Sequence, residues 1–345
     1  MEKMRELGAL EEANVSEVRG ALRRDLAAAG DAGSRISAQW IMCHVLGFSK
    51  SELEVQSGRA VAGDELAAIK DLASRRAAGE PLQYLTGRAP FRYLELAARP
   101  GVFIPRPETE VLVDTALECI DGVLGHAHDG CGHNDGHGHD HDDARSGFCP
   151  EDRQGLVDAD AQDADATPGR PRVRVLDLCC GSGTVAVSVA SERESAEVTA
   201  VDISPEAAAL TGENAAEAGV SDRVRVLVGD LYAPLGPGER FELVVANPPY
   251  IPSAKLATMP REVVDWEPMA ALDGGPDGLD AFRRILDGLP GRLERGGHLA
   301  CELDEDNVVE AARMCAALTG ELEFSEVDVL YDLTDRPRVL LVRRA

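Results

Sequence analysis

Five short apolar runs, at residues 173–178, 198–201, 224–228, 243–246 and 298–303, divide the second half of the chain, and helical or loop sequence follows each of them. A strand that is apolar along most of its length needs cover on both faces, and a helix between successive strands supplies that cover while keeping the strands parallel. The pattern specifies an α/β fold: a parallel sheet wound with helices on both faces. Two last runs, 322–330 and 339–342, are separated only by the turn-rich YDLTDRPR, too short for a crossover. They are expected to close the sheet as an antiparallel pair.

The rest of the 345 residues does not follow this pattern. Up to about residue 95 the sequence reads as short helices. Ser16 is placed to cap a segment carrying Val18, Leu22, Leu26 and Ala29, which Gly30 ends. Residues 36–46 carry Ile36, Trp40, Cys43 and Val45 and stop at Gly47, and residues 64–78 stop at Gly79. Their apolar stripes need one another, so residues 1–95 form a small helical bundle in which Trp40 and His44 are packing residues. Residues 96–120 read as a connecting hairpin and helix. Residues 121–170 hold six of the eight histidines (126, 128, 133, 137, 139 and 141) among Asp and Gly, and are expected to be a disordered insertion. Its imidazoles and carboxylates, with Cys131 and Cys149, suit adventitious capture of Zn, Ni or Cu, but match the spacing of no defined zinc module. Residues 171–345, which carry the alternating strands, form a separate domain.

Composition narrows the functional class. No run of about 18 apolar residues exists to cross a membrane, and the charged first twenty residues lack the apolar centre of a secretory signal. With eight scattered cysteines and no C-x-x-C pair, the chain reads as cytoplasmic with reduced thiols. The net charge is -26, and residues 171–345 hold 17 basic against 31 acidic side chains. That balance works against nucleic acid as the substrate, because binding a phosphate backbone draws on a basic stripe.

Two motifs carry the chemistry. The first is VRVLDLCCGSGTVAVSVA, residues 173–190: a strand ending in Asp177, a turn of small residues, then a helix. Gly181 and Gly183 permit close approach of backbone to a ligand, and the helix N-terminus offers free N–H donors. The next strand ends in Asp202, suited to ribose hydroxyls, and the third in Asp230, where an adenine would lie. The turn lacks the G-x-G-x-x-G spacing of a pyrophosphate site, and Asp177 would repel a diphosphate while suiting an amino group. S-adenosylmethionine therefore fits better than a dinucleotide. The second motif, Asn247-Pro248-Pro249-Tyr250, follows the strand FELVVA. The prolines fix φ and remove donors, leaving rigid carbonyl acceptors. Asn247 adds a side-chain acceptor and Tyr250 an aromatic face. Such a set holds a planar NH2 group by both hydrogens, as methyl transfer to an amide or exocyclic amine requires.

With GEPLQYLTGRAPFRYLEL (79–96), GVFIPRPETE (101–110) and EPMAALDGGPDGLDAFRRIL (267–286) in the same order, the chain resembles the PrmC/HemK family of release-factor glutamine N5-methyltransferases. The resemblance implies a class I, Rossmann-like S-adenosylmethionine-dependent methyltransferase sheet with a small N-terminal helical domain that docks the substrate. It implies N5-methylation of the glutamine in the Gly-Gly-Gln loop of bacterial peptide-chain release factors. Carried over by position, cofactor binding falls on Asp177, Cys179, Cys180, Gly181, Ser182, Gly183, Asp202, Asp230, Leu231 and Asn247. Catalysis falls on Asn247, Pro248 and Tyr250, and the substrate is held by these together with Pro249. Cys179 and Cys180 depart from the family's usual glycine-rich turn, and Cys179 is expected to avoid positive φ. Leu231 stands where the family has an aromatic near the adenine, with Tyr232 beside it. Arg106 and Glu108 are placed to brace the pocket or to form a structural ion pair. The alternatives are an N6-adenine nucleic-acid methyltransferase, a glutamine methyltransferase acting on a ribosomal protein, and a metal-binding protein built around the histidine loop.

Overall fold

The computed structural model describes residues 4–129, 171–318 and 320–345. At the N-terminus, helices Val15–Ala29, Ser34–Leu46, Lys50–Val55, Gly63–Ala77 and Leu82–Thr86 pack around Leu22, Leu26, Ile41, Met42 and Ile69, all fully buried. The first of them begins one residue after Asn14, not at Ser16. Asn14 accepts the Glu17 amide while the Glu17 carboxylate takes the Asn14 amide, a capping box that Ser16 inside the first turn cannot make. Gly30 and Gly47 end their helices at φ +99° and +66°.

Strands β1 (Arg88–Phe91) and β2 (Leu94–Ala97) form an antiparallel hairpin, which lies earlier than the 96–120 stretch expected to hold it. The tight turn at Arg92 and Tyr93, with Arg92 at φ +51°, is what the sequence pattern does not advertise. A one-turn 3₁₀ segment, Pro107–Thr109, then opens the helix Glu110–Asp129.

The sheet of the second half of the chain has seven strands. Strands β3 (Val173–Leu178), β4 (Ala196–Asp202), β5 (Val224–Val228), β6 (Phe241–Ala246) and β7 (Leu293–Glu302) are parallel, and β8 (Phe324–Tyr331) and β9 (Pro337–Arg344) are the antiparallel pair. The spatial order is β5-β4-β3-β6-β7-β9-β8, so the chain winds outward from β3 in one direction and then returns to β6 on the other side. This reversal opens a crevice at the carboxyl ends of β3 and β6, where ligands of doubly wound sheets bind. One core layer packs the helices Glu110–Asp129 and Thr184–Glu192 on the sheet, and the opposite face is covered by Asp280–Gly288 and Val308–Ala316.

Two polar contacts, one buried and one partly exposed, tie the bundle and hairpin to this sheet and its loops. Asn214 accepts the Ala97 amide at 2.7 Å and donates to the Ser182 carbonyl at 2.8 Å. Arg76, with its side chain only 10% exposed, joins Asp31 of the bundle to Glu262 of the loop that follows β6.

Candidate active site

The three aspartates singled out in the sequence, Asp177, Asp202 and Asp230, stand on the carboxyl edge of the sheet. Asp177 is buried and accepts the Ala186 amide at 3.0 Å, inside the first turn of the helix that follows the small-residue turn. Burial pushes its carboxyl up to about 8, and the neighbouring Asp202 adds to the rise. Asp202 accepts the amides of Gly181 at 2.8 Å and Ser204 at 2.9 Å, which fixes the turn against the end of β4. Burial raises its pKa too, against the pull of those amides. Asp230 is the exposed one. It pairs at 2.6 Å with Arg284, a partner that the sequence did not reveal.

A cavity of about 480 Å³ opens between these residues. Asp177, Cys179, Cys180, Gly181 and Ser182 form one wall, Asp202, Asp230 and Leu231 another, and Asn247 and Pro249 close it toward β6. Gly181, at φ +57°, has open space where a side chain would stand. Gly183 is not on the wall. At φ +82°, an added Cβ would lie 2.9 Å from Thr211 Cγ2, so this glycine lets the helix Thr184–Glu192 begin hard against Pro205–Glu217. Tyr232 turns away as well and donates to the Ile285 carbonyl, leaving Leu231 as the apolar contact.

Cys179 corrects an expectation: its φ is +60°. The Cys180 amide must reach the Val201 carbonyl at 3.1 Å for the turn to stay on β4, and a left-handed residue at 179 brings it there. Neither thiol is activated. Burial raises the pKa of both, the nearby aspartates raise it further, and Cys180 Sγ lies 3.5 Å from Thr211 Oγ1.

A second cavity, about 290 Å³, lies on the other side of Asn247. Pro248, Tyr250 and Ile251 line it together with Lys255, Met259 and Val263 of the following loop. Phe103, Asn247 and Ala271 belong to both cavities. The Asn247 Nδ2 donates to Thr109 Oγ1 at 3.2 Å, which leaves Oδ1 available. Among the described residues no donor reaches the Pro248 carbonyl. The Tyr250 hydroxyl donates to Glu302 at 3.2 Å, and burial holds the phenol far above its ordinary range.

The GGPDG stretch holds this loop in shape. The Ile251 amide donates to the Leu272 carbonyl and the Gly274 amide to the Ile251 carbonyl, so Gly274 sits on the loop backbone. A Cβ there would lie 2.7 Å from the Pro249 carbonyl oxygen and 2.8 Å from Tyr250 Cα. Asn307 donates to the Tyr250 carbonyl from the other side. Arg106 braces the wall: it pairs with buried Glu267, which also accepts the Ile104 amide, and its guanidinium lies 4.8 Å from the Phe103 ring centre. Glu108 is exposed.

Thr109 and Glu302 are site residues that reading by motif missed. Thr109 lies inside IPRPETE, and Glu302 ends β7 on the same edge as Asp177, Asp202 and Asn247, a register signal available in the strand pattern. The insertion expected at 121–170 starts later, because the helix Glu110–Asp129 runs on through its first nine residues; the rest, 130–170, with the expectations of disorder and metal capture placed on it, lies outside the described residues. Among the described residues no group of three or more His, Cys, Asp or Glu is placed to hold a metal, and no helix is long and apolar enough to cross a membrane.

Comparison with known proteins agrees with this geometry. The family described as PrmC N-terminal domain matches residues 17–87, and the methyltransferase small domain matches 164–262. A release factor glutamine methyltransferase of Geobacter sulfurreducens is 36% identical over 81% of this chain and 80% of its own. Those of Moorella thermoacetica (36%, covering 93% and 95%) and Bordetella pertussis (37%, covering 88% and 93%) are similar along nearly the whole length.

Proposed function

Because the chain belongs to the release factor glutamine methyltransferase family, we propose that it methylates N5 of the glutamine in the Gly-Gly-Gln loop of peptide-chain release factors in the cytoplasm. It is an S-adenosylmethionine-dependent methyltransferase. The observation that carries the reading is the position of Asn247, a wall of both cavities with its amide nitrogen engaged and its oxygen free.

The larger cavity suits the cofactor chemically. Four carboxylates (Asp177, Asp202, Glu206 and Asp230) and one arginine, itself paired with Asp230, stand around it, a set that favours a cationic ligand and disfavours a diphosphate. Asp177 would hold the amino group, Asp202 the ribose hydroxyls, and Asp230 with Leu231 the adenine; Cys179, Cys180, Gly181 and Ser182 supply the close backbone. S-adenosylmethionine supplies a methyl group already activated by its sulfonium.

An amide nitrogen is a poor nucleophile, so the protein's task is to place it. Asn247 Oδ1 and the Pro248 carbonyl accept its two hydrogens, while Pro249 and Tyr250 confine it from the side. Two fixed acceptors leave the nitrogen one direction to face, toward the first cavity. Positioning of this kind is worth up to about 7–11 kcal/mol of barrier. No general base is needed, since the proton shed after transfer leaves to water.

The test is transfer of labelled methyl to a purified release factor, beside a variant with its loop glutamine changed to alanine and beside duplex DNA, with mass spectrometry to locate the label. Label on the loop glutamine alone is expected. Label on DNA adenine or on a ribosomal protein instead would refute the substrate. Asn247→Ala is expected to lower kcat roughly 10²- to 10³-fold, the usual cost of one preorganised partner, with cofactor affinity within a fewfold of wild type. Retention of a tenth of the rate would contradict its role.

A further inference from the structure

A carboxamide can present either end, and only Oδ1 of Asn247 can accept a substrate N–H. Thr109 does not by itself settle which end faces the cavity, because a hydroxyl both donates and accepts. It would satisfy a reversed Asn247 equally well by donating to Oδ1. Something must take the Thr109 hydrogen away.

Glu302 is the group available. It is 1% exposed, at the carboxyl end of β7, and its Oε1 accepts the Tyr250 hydroxyl. Its Oε2 is buried and has no partner at standard hydrogen-bond geometry. Ala246 pairs with Cys301 across β6 and β7, so the next residues, Asn247 with its Thr109 partner and Glu302, stand side by side at the sheet edge, and Thr109 and Tyr250 oppose the rise that burial causes in this carboxyl. Arg338 of β9 stabilises the same carboxylate and Glu108 opposes it. A carboxylate accepts only. Given the Thr109 hydrogen, it leaves Thr109 nothing but lone pairs for Asn247, and Nδ2 must then be the end that turns inward.

We propose that Glu302 is a positioning residue: by accepting the Thr109 hydrogen it sets the orientation of the Asn247 amide, and by accepting the Tyr250 hydroxyl it fixes the opposite wall of the same pocket. The catalytic part of this rests on the methyl-transfer reading above; the orientation of the amide does not. The chain of contacts runs from the 3₁₀ turn before Glu110–Asp129, through the loop after β6, to the end of β7, and joins three elements that are far apart in sequence.

The test uses full-length protein labelled with 15N-asparagine, the Asn247 signal being identified by its loss in Asn247→Asp. Thr109→Val keeps the shape and removes the hydroxyl, Thr109→Ser keeps the hydroxyl, and Glu302→Met removes the acceptor with little change of volume. Hydrogen exchange of the Asn247 NH2 is expected to quicken in Thr109→Val and Glu302→Met and to stay at the wild-type rate in Thr109→Ser. At saturating cofactor, Thr109→Val is expected to lower kcat roughly 3- to 10-fold, the worth of one net hydrogen bond, and Thr109→Ser to restore it. The double variant should lose no more than Glu302→Met alone, since both changes cut one chain. Wild-type exchange in Thr109→Val, or additive losses in the double variant, would overturn the proposal. If wild type leaves the release-factor glutamine unmethylated while the exchange pattern holds, the substrate assignment fails and the orientation stands.

Discussion

In the proposed site Asp177, which would hold the cofactor's amino group, ties cofactor uptake to pH. Its carboxyl is buried, accepts one amide, and titrates at about 8 in the protein without cofactor, so at neutral pH it is mostly protonated. The amino group of the cofactor needs the ionised form. Binding must therefore expel a proton, and affinity rises with pH until the carboxyl is ionised beforehand. With one proton coupled and a folded pKa near 8, the ionised fraction is about 1% at pH 6 and one half at pH 8, so affinity should be roughly 50-fold weaker at pH 6. The sign is that of a raised acid: the protein without cofactor loses stability as pH climbs from the ordinary carboxyl range toward 8, where the unfolded chain has already given up its proton. Titration calorimetry with S-adenosylhomocysteine in buffers of different ionisation enthalpy measures both quantities, and about 0.9 proton should leave per molecule bound at pH 7. Asp177→Asn should flatten the profile and bind weakly throughout. Affinity that does not change between pH 6 and 8, with no proton released, would refute the argument.

Three further outcomes follow from geometry. Cys179→Gly should raise stability by about 1 kcal/mol or less, because the left-handed backbone costs a side-chain residue about 1–2 kcal/mol and glycine's freedom in the unfolded chain returns part of that; a lower melting temperature would show that the thiol's packing outweighs the strain. Gly274→Ala puts a methyl into the backbone of the loop holding Pro249 and Tyr250 and should destabilise by about 1–3 kcal/mol, with kcat falling more than cofactor affinity; unchanged kcat would mean the loop yields freely. Arg76→Ala strips a cation from nearly buried Asp31 and frees Glu262, whose helix borders the second cavity. A loss of roughly 3 kcal/mol is expected, together with a higher KM for the protein substrate and unchanged cofactor affinity, read by denaturant titration and steady-state kinetics.

The legible parts of the sequence were those in which a local pattern and the tertiary environment ask for the same thing. Residues 173–178 are largely apolar because both faces of the sheet are covered at β3, and the bounds of both 173–178 and 224–228 are those of β3 and the edge strand β5. Asn247 and the aspartates at strand ends could be placed because a parallel sheet gathers its carboxyl ends on one edge. What stayed hidden depends on contacts between distant elements. Arg284 reaches Asp230 from another helix, and Thr109 is positioned by a turn one hundred and more residues before Asn247. The backbone at Cys179 answers to a hydrogen bond on β4, a demand that composition at residue 179 does not record. The choice of Asn14 over Ser16 turned on reciprocity with Glu17, which a single-residue preference for caps cannot distinguish.

The helix Glu110–Asp129 starts beside Thr109, and its 20 residues carry the chain about 30 Å away from the pocket. Strand β3 then brings it back, entering at the amino edge of the sheet and reaching Asp177 near its far end. The described residues on either side of the 130–170 stretch thus lie at the end of the helix away from Thr109 and at the end of β3 away from Asp177. That placement makes the joint the expected site for added, deleted or permuted residues, with the sheet edge carrying Asp177 and Asn247 keeping its geometry. An affinity handle or a fluorophore placed at this joint would report on the enzyme without entering its chemistry.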